Sequence, residues 1–365
     1  MKLECGIEKL KNGILQVEKI TGKNLTLPVL SSILLIAGGK SLKLRATNLS
    51  LGIEIEIPAK IEKEGIMAIT GSTLASIFSN FIQNDIVYLE GDDGNLSVKT
   101  KKSKIKLKGQ AHEDFPTIPL VDGKTFEIEA KKLVEGVKSV YYSSSPSDIK
   151  PEISSVYVYT NDENLIFVST DSFRLAEKKV KVKGIDEIQG IMIPFKNISE
   201  IIRIFGEVND TVKVCFNKNQ ISFSSNNIYL TSRVIDGIFP DYRQIIPKEF
   251  AVEAVVLKQD LLNALKISNI FSDKFNQINL RISQKEKVFE LSSSNNDIGE
   301  NKTYLDVAMK GDDAELSFNY KYFLDCFQSI SADSISIRLN QASKPMVISG
   351  SSDNSFTYLI MPMNR

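Results

Sequence analysis

One helical pattern occurs three times in this chain, about a third of its length apart. Leu74, Ile77, Phe78 and Phe81 form the first copy, Ile198, Ile201, Ile202 and Phe205 the second, and Phe323, Cys326, Phe327 and Ile330 the third. Each set has the i, i+3, i+4, i+7 spacing that puts four large side chains on one face of a short helix. An acidic turn and an alternating strand follow every copy: Asp85 then Ile86 to Leu89, Asp210 then Val212, Val214 and Phe216, and Asp333 then Ile335, Ile337 and Leu339. Repetition on this scale constrains the architecture, because stacked copies bury faces that no single copy can bury.

Each third also opens with a helix. The spacing predicts one from Glu8 to Ile20 with Leu10, Ile14 and Val17 on one side, one from Lys131 to Tyr142 with Leu133, Val137 and Val140, and one from Lys258 with Leu261, Leu262 and Leu265. Alternating strands such as Leu42 to Ala46, Leu165 to Ser169 and Val288 to Leu291 fill the space between the two helices and lead into Thr47-Asn48, Thr170-Asp171 and Ser294-Asn295. Burying one stripe is worth roughly 1.5–3 kcal/mol per large side chain, set against the ordering of about sixty residues. A lone module should therefore not stand, and two helices packed on antiparallel sheets per domain give an α+β class. A length of 365 residues suits two or three domains, and the repeat selects three. The expected boundaries are 1–122, 123–248 and 249–365, with joins in the polar turn Val121-Asp122-Gly123-Lys124 and at Pro247-Lys248-Glu249.

Composition narrows the function. With 42% hydrophobic and 25% charged residues the chain has the balance of a soluble globular protein. No window approaches the roughly 18 continuous apolar residues of a membrane span. The opening Met1-Lys2-Leu3-Glu4-Cys5 lacks the charged-then-apolar order of a secretory leader, so a cytoplasmic protein with no membrane partner is expected. Cys5, Cys215 and Cys326 are odd in number, widely spaced and set in apolar patterns, which predicts buried free thiols rather than a disulfide framework or zinc site. The single histidine, His112, lies in a polar Gly-Gln-Ala-His-Glu-Asp stretch with no Cys or His nearby and reads as a solvated loop residue.

No catalytic chemistry emerges. A nucleophile and histidine pair would have only His112 to use, and Gly91-Asp-Asp-Gly94 reads as a tight hairpin turn rather than a phosphate cradle. The pairs Asp92-Asp93 and Asp312-Asp313 lie in turn sequences, where solvation is their ordinary role. No catalytic residue, metal site or cofactor is assigned, and the chain is not expected to be an enzyme. Two other readings stay open to the residues alone: a repeat scaffold unrelated to nucleic acid, and an enzyme acting through an unrecognised carboxylate pair. The six predicted helical segments together hold an excess of five basic residues, while the whole chain is neutral with 45 Lys+Arg and 45 Asp+Glu. Scattered lysines of this kind suit either a solvated helix face or a diffuse attraction for phosphates.

Four segments turn the argument toward a family: Leu27-Pro-Val-Leu30, Thr170-Asp-Ser-Phe-Arg-Leu-Ala176, Phe239-Pro-Asp-Tyr-Arg243 and the terminal Tyr358-Leu-Ile-Met-Pro-Met-Asn-Arg365. In this order and with the threefold repeat, the chain resembles the bacterial sliding clamps, the β subunits of DNA polymerase III, over its whole length. The resemblance implies the clamp fold, three similar domains forming half of a ring. Two head-to-tail copies would enclose duplex DNA without sequence specificity and serve as a non-catalytic processivity factor. The implied partners are double-stranded DNA, the polymerase III catalytic subunit, the clamp loader, other polymerases and repair proteins.

Carried over position by position, the resemblance implies a hydrophobic pocket for partner peptides with Leu and Phe anchors. Its floor and walls would come from Ile153, Thr170, Leu175, Pro240, Ile245, Val347, Leu359, Met361, Pro362 and Met363, with Ser172, Phe173, Arg174 and Arg243 at the rim. Lys23, Asn24, Lys150 and Lys196 match DNA-facing positions, although Pro151-Glu152 stands where some relatives carry aromatic residues. The dimer interface would use Ile105 and Leu107, alternating with Lys104, Lys106 and Lys108, against Ile270 and Phe271, with Asp297 and Glu300 as acidic counterparts.

Overall fold

The computed structural model describes residues 1–22, 26–81, 85–185, 187–340 and 344–363. They form two compact units, Met1–Lys131 with Ser199–Val234, and Lys132–Ile198 with Ile235–Arg365. In the first unit a five-stranded sheet accompanies an eight-stranded one; the second unit has a nine-stranded and a four-stranded sheet. Neighbouring strands pair antiparallel throughout the named pairs, as short hairpin connections between alternating segments require.

In each unit one sheet runs through residues of two sequence thirds. The eight-stranded sheet joins Leu51–Pro58 to Ile228–Arg233 with Gly52 opposite Thr231. The nine-stranded sheet joins Arg174–Lys181 to Asp353–Ile360 with Leu175 opposite Leu359. Along these strands the inward positions are aliphatic: Ile53, Ile55 and Ile57 are buried on the first, Val347 and Ile348 on a neighbour of the second. On Leu51–Pro58 this alternation is the period-2 pattern legible in the sequence, whereas Met346–Gly350 is buried at every position.

The first helix, Ile7–Glu18, buries Ile7, Leu10, Gly13, Ile14 and Val17. Gly13 is required by close approach, since a Cβ there would lie 2.8 Å from Ile57 Cδ1 and 2.9 Å from Leu44 Cδ1. The second opening helix, Ala130–Lys138, is shorter than the expected span to Tyr142 and gives way to a separate 3₁₀ turn, Tyr141–Ser143. Its φ of −124° at Val140 takes the chain out of helical geometry, which side-chain periodicity does not report. The third opening helix is Lys258–Ile270.

The striped helices are Gly71–Ser79, Phe195–Phe205 and Tyr320–Asp325, the last continued by the 3₁₀ turn Cys326–Ser329. Phe81 thus lies beyond its helix, while Phe323, Cys326, Phe327 and Ile330 are all buried despite the change of helix type. In the middle copy Ile198, Ile201 and Phe205 are buried as expected, but Ile204 is buried in place of Ile202, which is only half-buried. Free thiols occur at all three cysteines. Burial pushes the Cys5 thiol up to about 12 and raises that of Cys326 as well. Cys215 departs from expectation in being only half-buried, and its thiol donates to the Val121 carbonyl at 3.2 Å.

The Gly91 to Gly94 segment is a hairpin turn between Ile86–Asp92 and Asn95–Lys99, with positive φ at Asp93 and Gly94. His112 is a half-buried loop residue. Among the described residues no helix is long and apolar enough to cross a membrane, and no group of three His, Cys, Asp or Glu side chains is placed to hold a metal ion.

Candidate functional site

The Thr170 to Arg174 segment closes the hairpin between Asn164–Thr170 and Arg174–Lys181. Side chains of the turn satisfy its own backbone. Thr170 Oγ1 donates to the Arg174 carbonyl at 2.7 Å and accepts from Ser172 N at 3.1 Å; Asp171 Oδ1 accepts from Phe173 N at 2.9 Å and Arg174 N at 3.0 Å. A short threonine hydroxyl and an aspartate carboxylate are the residue types that make such local bonds. Ser172 takes a φ of 78°, and Phe173 is left 61% exposed at the tip.

Beneath the turn, Leu175, Leu359 and Val347 lie side by side on three adjacent strands. They are buried in one cluster with Tyr159, Ile166, Val168, Met192, Phe239 and Tyr242. The C-terminal segment is tied across it: Met361 N donates to the Phe173 carbonyl at 2.8 Å and Met363 N to the Ser317 carbonyl at 2.8 Å. Met361, Pro362 and Met363 are half-buried, Pro240 and Arg243 exposed, and Ile245 is 48% exposed. Ile153 is half-buried and, with Ile245, stands outside the cluster. Thr170 is buried, and Ser172 is exposed.

Beside this apolar floor, Tyr159 and Glu177 were not singled out in the sequence, whereas Tyr242 and Arg243 belong to the Phe239-Pro-Asp-Tyr-Arg243 motif. Tyr159 and Tyr242 share a hydroxyl hydrogen bond of 2.7 Å, and the Tyr242 hydroxyl donates to the Glu177 carboxylate. Burial, reinforced by Glu177, raises the Tyr242 phenol far above its ordinary value, so it remains a donor. Arg243 lies 5.0 Å from the Tyr159 ring centroid, and Tyr157 stacks on Phe239 at 4.7 Å. Of this aromatic set, the Phe239-Pro-Asp-Tyr motif was the visible signal; the bond from Tyr242 to Glu177 joins residues far apart in sequence.

The Arg174 guanidinium bonds Asp171 at 2.9 Å, the Asp325 carboxylate, and the Tyr142 carbonyl at 2.6 Å. It also lies 4.5 Å from the Tyr322 ring centroid. Burial disfavours its charge, but Tyr358, Asp325 and Asp171 outweigh that and raise its pKa.

The other predicted residues lie elsewhere. Lys23 and Asn24 fall outside the described residues. Lys150 is exposed, and Lys196 is exposed and paired with Asp148. Ile105 and Leu107 are half-buried on Lys104–Lys108, an edge strand of the five-stranded sheet. Ile270 is 60% exposed at the end of its helix, and Phe271 follows it. A Cβ at Gly299, on the edge strand Gly299–Tyr304 of the four-stranded sheet, would lie 3.9 Å from Phe271 Cε1.

Three family models match in succession: the DNA polymerase III beta subunit N-terminal domain over residues 1–119, its central domain over 127–241 and its C-terminal domain over 243–364. The chain belongs to the DNA polymerase III beta subunit family. Within that family it is 27% identical over 372 residues to the beta sliding clamp of Synechococcus elongatus, covering 100% of this chain and 99% of that protein. The fold is that of the solved DNA polymerase III subunit beta from Pseudomonas aeruginosa, with a TM-score of 0.95, 23% identity and both chains covered in full. A Pseudomonas aeruginosa sliding clamp solved bound to griselimycin matches at a TM-score of 0.94 and 24% identity, again over both whole chains. As a beta subunit, the chain has the α+β class expected from its repeat and the clamp fold that the resemblance implied, and its family acts in replicative processivity.

Proposed function

We propose that two copies of this beta subunit close head to tail into a ring around duplex DNA, slide without reading sequence, and tether replication and repair proteins by short peptides. The observation that carries this reading is the unbroken run of three beta-subunit domain matches along the chain. On it rest three domains, 1–122, 123–248 and 249–365, and a cytoplasmic, non-catalytic role. Retention by enclosure needs little affinity. Diffuse charges such as Lys23, Lys150 and Lys196, with the neutral Asn24 beside Lys23, then give a salt-screened attraction that does not fix the protein in one register.

The partner site is assigned to the Thr170 to Arg174 turn and the terminal segment Met361 to Met363. What supports it is an exposed Phe173 beside a buried aliphatic floor, with Pro240, Arg243 and Ile245 exposed around it and Ile153 and Ser172 at the margin. An extended peptide with Leu and Phe anchors gains by covering such a surface. The polymerase III catalytic subunit, clamp loader, other polymerases and repair proteins would compete for it.

Ring closure is assigned to the edge strand Lys104–Lys108 meeting the region of Ile270, Phe271 and the edge strand Gly299–Tyr304 of the other copy. Supporting this are two strands at sheet edges among the described residues, one bearing Lys104, Lys106 and Lys108 and the other Glu300 and Lys302, and exposed Ile267 and Ile270 on the helix packed against the second, with Ile298 just before it. Ile105→Asp is expected to reduce the mass in solution from two chains to one by light scattering. A mass still at two chains would remove this interface.

A further inference from the structure

We propose that Arg174 is a positioning residue that locks the Thr170 to Arg174 turn to the end of the helix Tyr320–Asp325, rather than a group that reads charge on a partner peptide. This rests on the partner-site reading above. All three nitrogens of the guanidinium have an oxygen acceptor within the protein: Nε on Asp171, Nη1 on Asp325 and Nη2 on the Tyr142 carbonyl. One face covers the Tyr322 ring at 4.5 Å, and the side chain is only 12% exposed. A planar fork with fixed donor directions suits this task, whereas an ammonium has neither the shape nor the stacking face.

The tie reaches the floor of the site through the backbone. Arg174 pairs with Ile360 across the strands, and the preceding Phe173 carbonyl holds Met361 N at 2.8 Å. Just past Asp325, Ser329 Oγ bonds the Ser139 carbonyl at 2.9 Å and the Tyr142 hydroxyl at 3.0 Å, so the far end of the tie is itself anchored. Releasing Arg174 from Asp325 therefore loosens Phe173 and the Met361 segment together, without removing any apolar contact surface.

The test is a titration of the full chain with two capped synthetic peptides, identical in their Leu and Phe anchors. One carries no charged residue and the other a single Glu. Arg174→Ala, Arg174→Lys and Asp325→Ala are each expected to weaken both peptides alike, roughly tenfold. The double variant Arg174→Ala with Asp325→Ala should be no weaker than the worse single one, because the pair acts as a unit. Asp325→Glu should recover most of the affinity. Loss confined to the Glu-bearing peptide, full affinity in Arg174→Lys, or no loss in Asp325→Ala would each overturn the proposal. If the unaltered chain bound neither peptide, the partner-site reading would fail instead.

Discussion

The turn at Thr170 has a twin at Thr47, and the two share almost every backbone bond. In the twin, Thr47 Oγ1 donates to the Leu51 carbonyl at 2.9 Å and accepts from Leu49 N at 3.0 Å, while Asn48 Oδ1 accepts from Ser50 N at 3.0 Å and Leu51 N at 2.8 Å. Leu49 takes a φ of 74° where Ser172 takes 78°. The Ser50 carbonyl accepts from Arg233 N at 2.8 Å, as that of Phe173 accepts from Met361 N. The side chains differ at every exposed or floor position. Where Leu175, Leu359 and Val347 line up across three strands, the twin has Gly52, Thr231 and Ser222. Space over Gly52 is filled by Ile118, whose Cγ2 would lie 3.2 Å from a Cβ there. A repeated scaffold thus carries an apolar floor in one copy and a small, polar, filled one in the other, so backbone alone does not make a partner site.

The largest effect is expected from removing Met361 to Arg365, which takes away the segment held by Phe173 and Ser317. Affinity for an anchor peptide should fall by roughly a hundredfold or more, with the mass in solution unchanged. Near-normal affinity in a titration would erase the distinction between the two turns. Next comes Gly52→Leu, which gives the twin a floor residue of the other copy. It should lower stability by about 1–3 kcal/mol in urea melts, because Ile118 and Thr231 already occupy the space, and it should create no second peptide site. A second binding equivalent would mean that Ile118 does not seal that copy.

Phe173→Ser copies the twin's Ser50. It should weaken the peptide about tenfold while shifting stability by no more than about 0.5 kcal/mol, since Phe173 is mostly exposed. The smallest effect concerns pH. Burial would raise the Glu54 carboxyl, but hydrogen bonds and charges from Lys43 and Arg45 outweigh it and hold the pKa below the ordinary range. The stability it contributes is present above the unfolded pKa and is lost as pH falls through the lowered folded one. Glu54→Gln should flatten the acid side of the stability profile below about pH 4.5, and an unchanged slope would show that the pairing contributes nothing.

Much of this fold was legible because its periodicities are strong. Leu10, Ile14 and Val17, and Phe323, Cys326, Phe327 and Ile330, are buried as their spacing requires. Helix ends were not, since Val140 leaves helical geometry and Cys326 enters a 3₁₀ turn with no change in apolar spacing. The Thr170-Asp-Ser-Phe-Arg segment announced a turn by residue type, as Thr47-Asn48 did, but Leu175 against Gly52 is the one local difference between the two floors, and the rest of each floor comes from other strands. That difference depends on strand register bringing Val347 and Leu359 beside Leu175. The links from Tyr242 to Glu177 and from Arg174 to Asp325 were likewise invisible, because they join side chains whose separation in sequence carries no pattern.

Enclosure of DNA is the claim on which the proposed function turns, and topology tests it directly. The protein is loaded onto nicked circular duplex DNA, separated from unbound protein, and followed before and after a single cut linearises the circle. Stable retention on the circle with rapid loss after cutting is the predicted result. Equal retention on both forms, or none on either after loading, would contradict it.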